Sequence, residues 1–281
     1  GYSISGIVKE VGEGVANFSI GDRISAAGAA NAYHASRVCV PKNLVVPLKI
    51  GVSFSEGSTV AIGSIALHSI RRSQLQIGEY CVVYGAGILG LIAIQILTKS
   101  GVRVAAVDLS SSKLKKAESF GAEITINANE KELIEKVNEW TGGYGADAVL
   151  LAVSANSSIP LSNSFKMCKR KGKVVLLGAT GLDIDRNDIY AKELDLITST
   201  SYGPGRYDRK YEEKGEDYPY DYVRWTENRN MSEYLRMIEN NTINVSELIS
   251  KEFQVDNVDE AFRYISNPEN NSLLVVLGYG N

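Results

Sequence analysis

The chain has 281 residues, 44% of them hydrophobic, with 30 Lys and Arg against 33 Asp and Glu and a net charge of −3. That length allows one large domain or two smaller ones, and the near-balanced charge excludes a basic nucleic-acid face or an anionic-membrane anchor. The longest apolar runs, such as LGLIAIQIL at 89–97, are too short to span a bilayer, and no secretory signal pattern is seen.

Residues 1–60 read as β-rich, with apolar alternations in GIVKEV, SRVCVP and LVVPL broken by Gly, Asn and Pro. Near Gly57 the pattern changes, and Val60, Ser64, Leu67 and Ile70 recur at helical spacing. From Glu79 to about Thr200 strands alternate with amphipathic helices. The strands are read at 80–84, 103–108, 123–127, 147–153, 173–178 and 194–199, with helices such as 111–121 and 130–140 between them. Continuous apolar strands separated by amphipathic helices predict a parallel sheet covered on both faces, an α/β doubly wound fold.

Between 201 and 230 the chain turns polar, with six tyrosines interleaved with Arg206, Arg209, Arg224 and Arg229. A disordered linker is one reading, but disordered segments are usually poor in aromatics, so an ordered functional loop is the favoured one. A helix at MSEYLRMIENN, a strand in ELISKEF, a helix at VDEAFRYIS and a last strand in SLLVVLG follow. Cys39, Cys81 and Cys168 lie far apart in apolar surroundings and are read as three buried, reduced thiols of a cytoplasmic protein. His34 and His68 are too isolated in sequence to mark a metal site and are read as packing residues.

The strongest chemical signal is VVYGAGILGLIAIQI, in which Gly85-x-Gly87-x-x-Gly90 joins a strand to a helix. Gly85 permits a tight turn, Gly87 lets the backbone approach a pyrophosphate, and Gly90 lets helix and strand pack closely. The helix start at Ile88 and Leu89 presents unpaired N–H groups to the phosphates. A second strand ends in Asp108, where a carboxylate meets the adenosine ribose hydroxyls and repels a 2′-phosphate, favouring NAD(H) over NADP(H). Lys113 either flanks the same ribose or is a solvated helix residue.

GIVKEVGEGVANFSIGDRI (6–24), VPKNLVVPL, ALHSIRR before IGE, and GAGILG, in that order, resemble the medium-chain dehydrogenase/reductases, the superfamily of zinc alcohol, sorbitol and threonine dehydrogenases. The resemblance implies a partial GroES-like catalytic domain at 1–63, a Rossmann NAD-binding domain at 64–200, and a return to the catalytic domain at 201–281, with the cofactor between domains. SYGPGRYD followed by YVRWTENRNM looks like the bi-domain oxidoreductases associated with surface-sugar synthesis, which carry a second oxidoreductase domain on the same chain. It also implies that Gly1 is an internal position of a longer parent, whose fragment here binds cofactor without a complete active site.

Zinc members of the superfamily carry Gly-His-Glu where this chain reads Gly1-Tyr2-Ser3, and a further ligand where it has Val60 or Ala61. These residues are poor ligands or none, so no metal is expected. Without zinc, Tyr2 is the candidate proton donor or relay, with Ser3 beside it. The resemblance places the Ser64 hydroxyl and the Gly178 backbone near the nicotinamide. Tyr202, Arg206, Tyr207 and Arg209 are candidates for substrate choice, since aromatic faces stack on sugars and Arg forks bind phosphate or carboxylate; the same loop also suits a surface or interdomain contact.

The resulting expectation is an NAD-dependent, zinc-free oxidoreductase acting on an alcohol or carbonyl of a sugar derivative. Two alternatives stand beside it: an NAD-binding scaffold without turnover, and a zinc-free reductase of activated alkenes. Its partner is a small molecule, neither nucleic acid nor membrane, and pairing of Rossmann edge strands into a homodimer is a family habit.

Overall fold

The structure is a computed structural model and describes residues 1–280. It divides into two compact units: Gly1–Ser64 with the chain from Tyr202 onward, and Ile65–Ser201. Among the described residues no helix is long and apolar enough to cross a membrane.

The first unit opens with an antiparallel three-stranded sheet of β1 (Ser3–Ile7), β2 (Arg23–Ala27) and β3 (Val45–Pro47), in that order. Residues 37–41, expected as a strand, are irregular, and this leaves Cys39 exposed rather than buried. His34 in the same irregular region is also exposed. A short helix, α1 (Phe54–Gly57), starts with a capping box in which Ser53 and Glu56 exchange hydrogen bonds. The longer α2 (Val60–Ser73) follows.

The second unit is the alternating one. Its elements are β4 (Tyr80–Tyr84), α3 (Ile88–Lys99), β5 (Arg103–Asp108), α4 (Ser111–Ser119), β6 (Ile124–Asn127), α5 (Leu133–Trp140), β7 (Ala146–Leu151), α6 (Ile159–Met167), β8 (Cys168–Leu176), α7 (Arg186–Tyr190) and β9 (Asp195–Thr198). The six strands form one parallel sheet in the order β6-β5-β4-β7-β8-β9. The order reverses between β4 and β7, which is the switch point of a doubly wound sheet. Central strands are dry on both faces: Val82, Val83, Val149, Leu150, Val174 and Val175 are all 0% exposed. Each such side chain contributes roughly 1.5–3 kcal/mol by leaving water. Cys81 and Cys168 lie in this core, and burial raises both thiols, Cys168 to about 12. His68, 9% exposed on α2, is lowered to about 4 by burial and by Arg72 and Arg71.

The chain then returns to the first unit through α8 (Arg209–Glu212), α9 (Glu227–Glu239), β10 (Ile249–Gln254), α10 (Val258–Ser266) and β11 (Leu274–Gly278). β11 pairs in parallel with β10 as a two-stranded sheet. Helix α9 begins four residues before the expected Met231, because Thr226 caps it by accepting from the Arg229 N–H.

Candidate functional site

The Gly85–Gly90 turn sits at the carboxyl end of β4, beside the switch point of the sheet. Gly85 has φ +106°, and a Cβ there would press on the Ala152 backbone at 2.9 Å. A Cβ at Gly90 would overlap the Gly85 carbonyl oxygen. Both positions therefore exclude a side chain for internal reasons. Gly87 differs: its φ is −75°, and a Cβ would meet nothing within 4 Å. The fold does not need that glycine, but a ligand lying on the turn would. Ile88, Leu89 and Gly90 form the first turn of α3, whose N–H groups have no acceptor within the helix.

Asp108 ends β5 and is fastened to this turn. Its Oδ2 accepts from the Ala86 N–H at 2.7 Å, and its Oδ1 accepts from the Ser110 N–H at 2.8 Å. The two bonds fix the carboxylate and leave each oxygen a further acceptor direction, enough for the vicinal hydroxyls of a ribose. Lys113 lies in the first turn of α4, half-buried. An open backbone cradle, a free helix N-terminus and an anchored carboxylate fit a dinucleotide.

Gly178 follows β8, and its constraint is internal: a Cβ would overlap the Val153 carbonyl, where Ser154 and Ala179 form an isolated parallel bridge.

In the first unit, Tyr2 is 43% exposed and its carbonyl accepts from Gly28 N–H at 3.0 Å. Ser3 has a structural task. Its hydroxyl donates to the Ser58 carbonyl at 2.6 Å and accepts from the Ala61 N–H at 3.1 Å, which caps the start of α2. Ser64 is buried, and its hydroxyl donates to the Val60 carbonyl at 2.7 Å within the same helix. Val60 and Ala61 are both fully buried. Among the described residues, no three His, Cys, Asp or Glu side chains gather in a way that would hold a metal ion.

The Tyr/Arg loop is ordered by its own pairs. Tyr202 is a core residue, 2% exposed, and its carbonyl accepts from Asn230 Nδ2 at 2.9 Å. Arg206 is bonded to Glu212 at 2.5 Å and lies 4.1 Å over the Tyr207 ring. Arg209 pairs with Glu213, and Arg229 with Asp217. Arg206 and Arg209, read above as candidate forks for phosphate or carboxylate, each have a carboxylate partner within the loop. Tyr207 is 70% exposed and holds φ +67°, rare for a bulky residue. A cavity of about 260 Å³ on this unit is lined by residues that include Lys42, Asn43, Tyr211, Asp217 and Arg229, and not by Tyr202, Arg206, Tyr207 or Arg209.

One residue that sequence reasoning missed stands out. Glu227, the first residue of α9, is 0% exposed, and neither of its oxygens has a hydrogen-bond partner. Thr226 before it, with Glu227 itself as the acid of the first turn, signals a helix start; nothing in the pattern signals enclosure.

A family profile described as "Zinc-binding dehydrogenase" matches residues 89–214. The 2-dehydro-3-deoxy-L-galactonate 5-dehydrogenase of Pseudoalteromonas atlantica is 26% identical over 237 residues, covering 74% of this chain and 68% of that enzyme. The quinone oxidoreductase of Rattus norvegicus is 30% identical over 204 residues, covering 70% of this chain and 60% of its own length. A mycobacterial protein solved with NADPH superposes with a TM-score of 0.79 at 24% identity, over 99% of this chain and 81% of that one. The alignments thus span about two thirds or less of these two curated relatives. Nicotinamide dinucleotides are the cofactors of this group, and the chain belongs to the medium-chain dehydrogenase/reductase superfamily.

Proposed function

We propose that the protein is an NAD(H)-dependent oxidoreductase that works without catalytic zinc on an alcohol or carbonyl group of a sugar-derived substrate. The observation that carries this reading is the Gly85–Gly90 turn with the Asp108 carboxylate bonded to its Ala86 N–H. A bound dinucleotide supplies the hydride. The chain's own part is to hold it: the first turn of α3 faces the pyrophosphate, Gly87 leaves room for it, and Asp108 takes the adenosine ribose and disfavours a 2′-phosphate.

The zinc-free reading rests on residue chemistry. Tyr2 and Ser3 stand where zinc members have ligands, and Ser3 is spent on capping α2. The exposed Tyr2 phenol is the proposed proton donor or relay. The sugar reading is supported by the galactonate-type dehydrogenase among the relatives. It is supported too by Tyr207, whose exposed ring is held in a strained conformation of the sort found at functional sites. Because Arg206 and Arg209 are neutralised by acids, a neutral sugar or polyol suits the loop better than a phosphorylated one. The rat relative, a quinone oxidoreductase, supports a second reading as a reductase of activated alkenes.

Calorimetry with NADH and NADPH, followed by turnover with a panel of polyols, sugar aldehydes and quinones, tests the proposal. Tighter NADH binding and turnover of a sugar derivative are expected. Tighter NADPH binding sinks the Asp108 assignment, quinone-only turnover selects the alkene reading, and binding without turnover leaves an NAD-holding scaffold.

A further inference from the structure

Glu227 is enclosed in a place that does not suit a charge. An ionised carboxylate without hydrogen-bond partners is strongly penalised on burial. A helix N-terminus ordinarily favours a negative group, but Glu212 repels this carboxyl. The cation that acts on it, Arg206, is already bonded to Glu212 at 2.5 Å, and both side chains of that pair are largely covered, at 15% and 14% exposure. Two ionised acids around one guanidinium would leave an enclosed net negative charge. A proton on Glu227 removes it. The other titratable groups facing Glu227 are the phenols of Tyr202, Tyr211 and Tyr218, all raised above the ordinary tyrosine value and so uncharged near neutrality.

The same residue holds the loop. The Glu227 N–H donates to the Pro204 carbonyl at 2.8 Å. The carboxyl lies against Gly205, whose Cβ, if it had one, would come within 3.1 Å of Oε1. Gly203, Gly205 and Tyr207 all take positive φ, so the backbone follows a narrow path over the acid. We propose that Glu227 acts as a neutral carboxylic acid, a positioning residue that seats the Tyr202–Tyr207 turn, and that ionising it loosens that turn.

Burial and Glu212 raise the Glu227 pKa from 4.5 to about 8, against the opposing pull of Arg206. Between those values the folded chain holds a proton that the unfolded chain has lost. The stability from this group is therefore full below the lower value, declines as pH rises, and is lost once pH passes about 8. Any consequence for turnover rests on the function proposed above; the consequence for the loop does not.

The test uses the full chain as wild type, Glu227→Gln and Glu212→Gln, with melting temperature and amide exchange of 202–207, corrected for intrinsic rate, from pH 6 to 9. Wild type should lose protection of that turn roughly tenfold or more across the range, and Glu227→Gln should lose the pH dependence. Glu212→Gln should move the transition to lower pH, since it removes a like charge and frees Arg206. Glu227→Gln with the wild-type pH profile would overturn the proposal. If that variant fails to fold, infrared spectra of wild type decide. A protonated carboxyl band present at pH 7, lost above pH 8 and moved down by Glu212→Gln, supports the proposal, whereas its absence at pH 7 overturns it. Lack of turnover with every substrate would end the enzymatic reading and leave these results standing.

Discussion

Two glycine-bearing turns of this chain treat their neighbouring acids in opposite ways. At Gly85–Gly90 the neighbouring Asp108 accepts two backbone N–H bonds, at 2.7 and 2.8 Å. At Gly203–Gly205 the neighbouring Glu227 accepts none and is walled off from water. A carboxylate supplied with donors is an acceptor set to receive hydroxyls. A carboxyl denied donors is favoured in its neutral form, and its role becomes holding structure rather than offering charge. The first turn keeps a bonded carboxylate with acceptor directions to spare, and the second encloses an acid that has no partner.

The sharpest way to break this contrast is to fill the first turn. Gly90→Ala puts a Cβ into the Gly85 carbonyl oxygen, a backbone atom that cannot swing aside. A loss of about 3 kcal/mol, the upper end of the usual overpacking cost, is expected, with dinucleotide binding lost along with it. Gly87→Ala is the control, because its Cβ would meet nothing within 4 Å and its φ is −75°. Its melting temperature should match wild type while NADH binding weakens at least about tenfold, roughly 1.4 kcal/mol. Equal loss of stability in both variants would mean that Gly87 serves the fold, and the ligand-facing half of the comparison would fail.

An effect smaller than that of Gly90→Ala is expected from Asp108→Asn. The amide keeps the shape but loses half of the acceptor capacity that Ala86 and Ser110 use. NADH affinity should fall by about 1.5–3 kcal/mol, the range for a hydrogen bond to a charged group. NADPH affinity should fall less, because the repulsion of its 2′-phosphate disappears. Calorimetry of both nucleotides on one variant checks the prediction; parallel losses would remove Asp108 from cofactor choice.

The contrast also explains what could be read in advance. The expected strands at 80–84 and 103–108 coincide with β4 and β5. Parallel strands buried on both faces need continuous apolar runs, and such runs are visible residue by residue. The Gly-rich turn was legible because its three glycines fall at fixed spacing between a strand and a helix. Residues 37–41 misled because a short apolar alternation such as RVCVP has no partner strand there, and pairing is a tertiary fact. The loop was legible in composition and not in connection. Tyr202, Arg206 and Arg209 looked like offered side chains, yet Tyr202 is in the core and both arginines have acids of their own. Glu227 was invisible, because enclosure of a Glu at a helix start depends on how 203–207 folds back over it.

The weakest effects fall on residues whose roles are local. Ser3→Ala removes one hydroxyl that both caps Ala61 N–H and donates to Ser58, so a loss near the usual 0.5–2 kcal/mol of a helix cap is expected. If turnover in an active form of the protein falls no further than this stability loss explains, Ser3 is a cap and not a catalytic group. Arg209→Ala sits at the bottom of the scale. Its side chain is 84% exposed, and its pair with Glu213 is an i,i+4 surface contact screened by water and salt. No change in melting temperature is expected, and substrate KM should also stay at the wild-type value if the loop recognises a neutral sugar. A rise in KM for an anionic substrate, suppressed by added salt, would show that Arg209 leaves Glu213 to bind an anion and would reopen the phosphorylated-substrate reading.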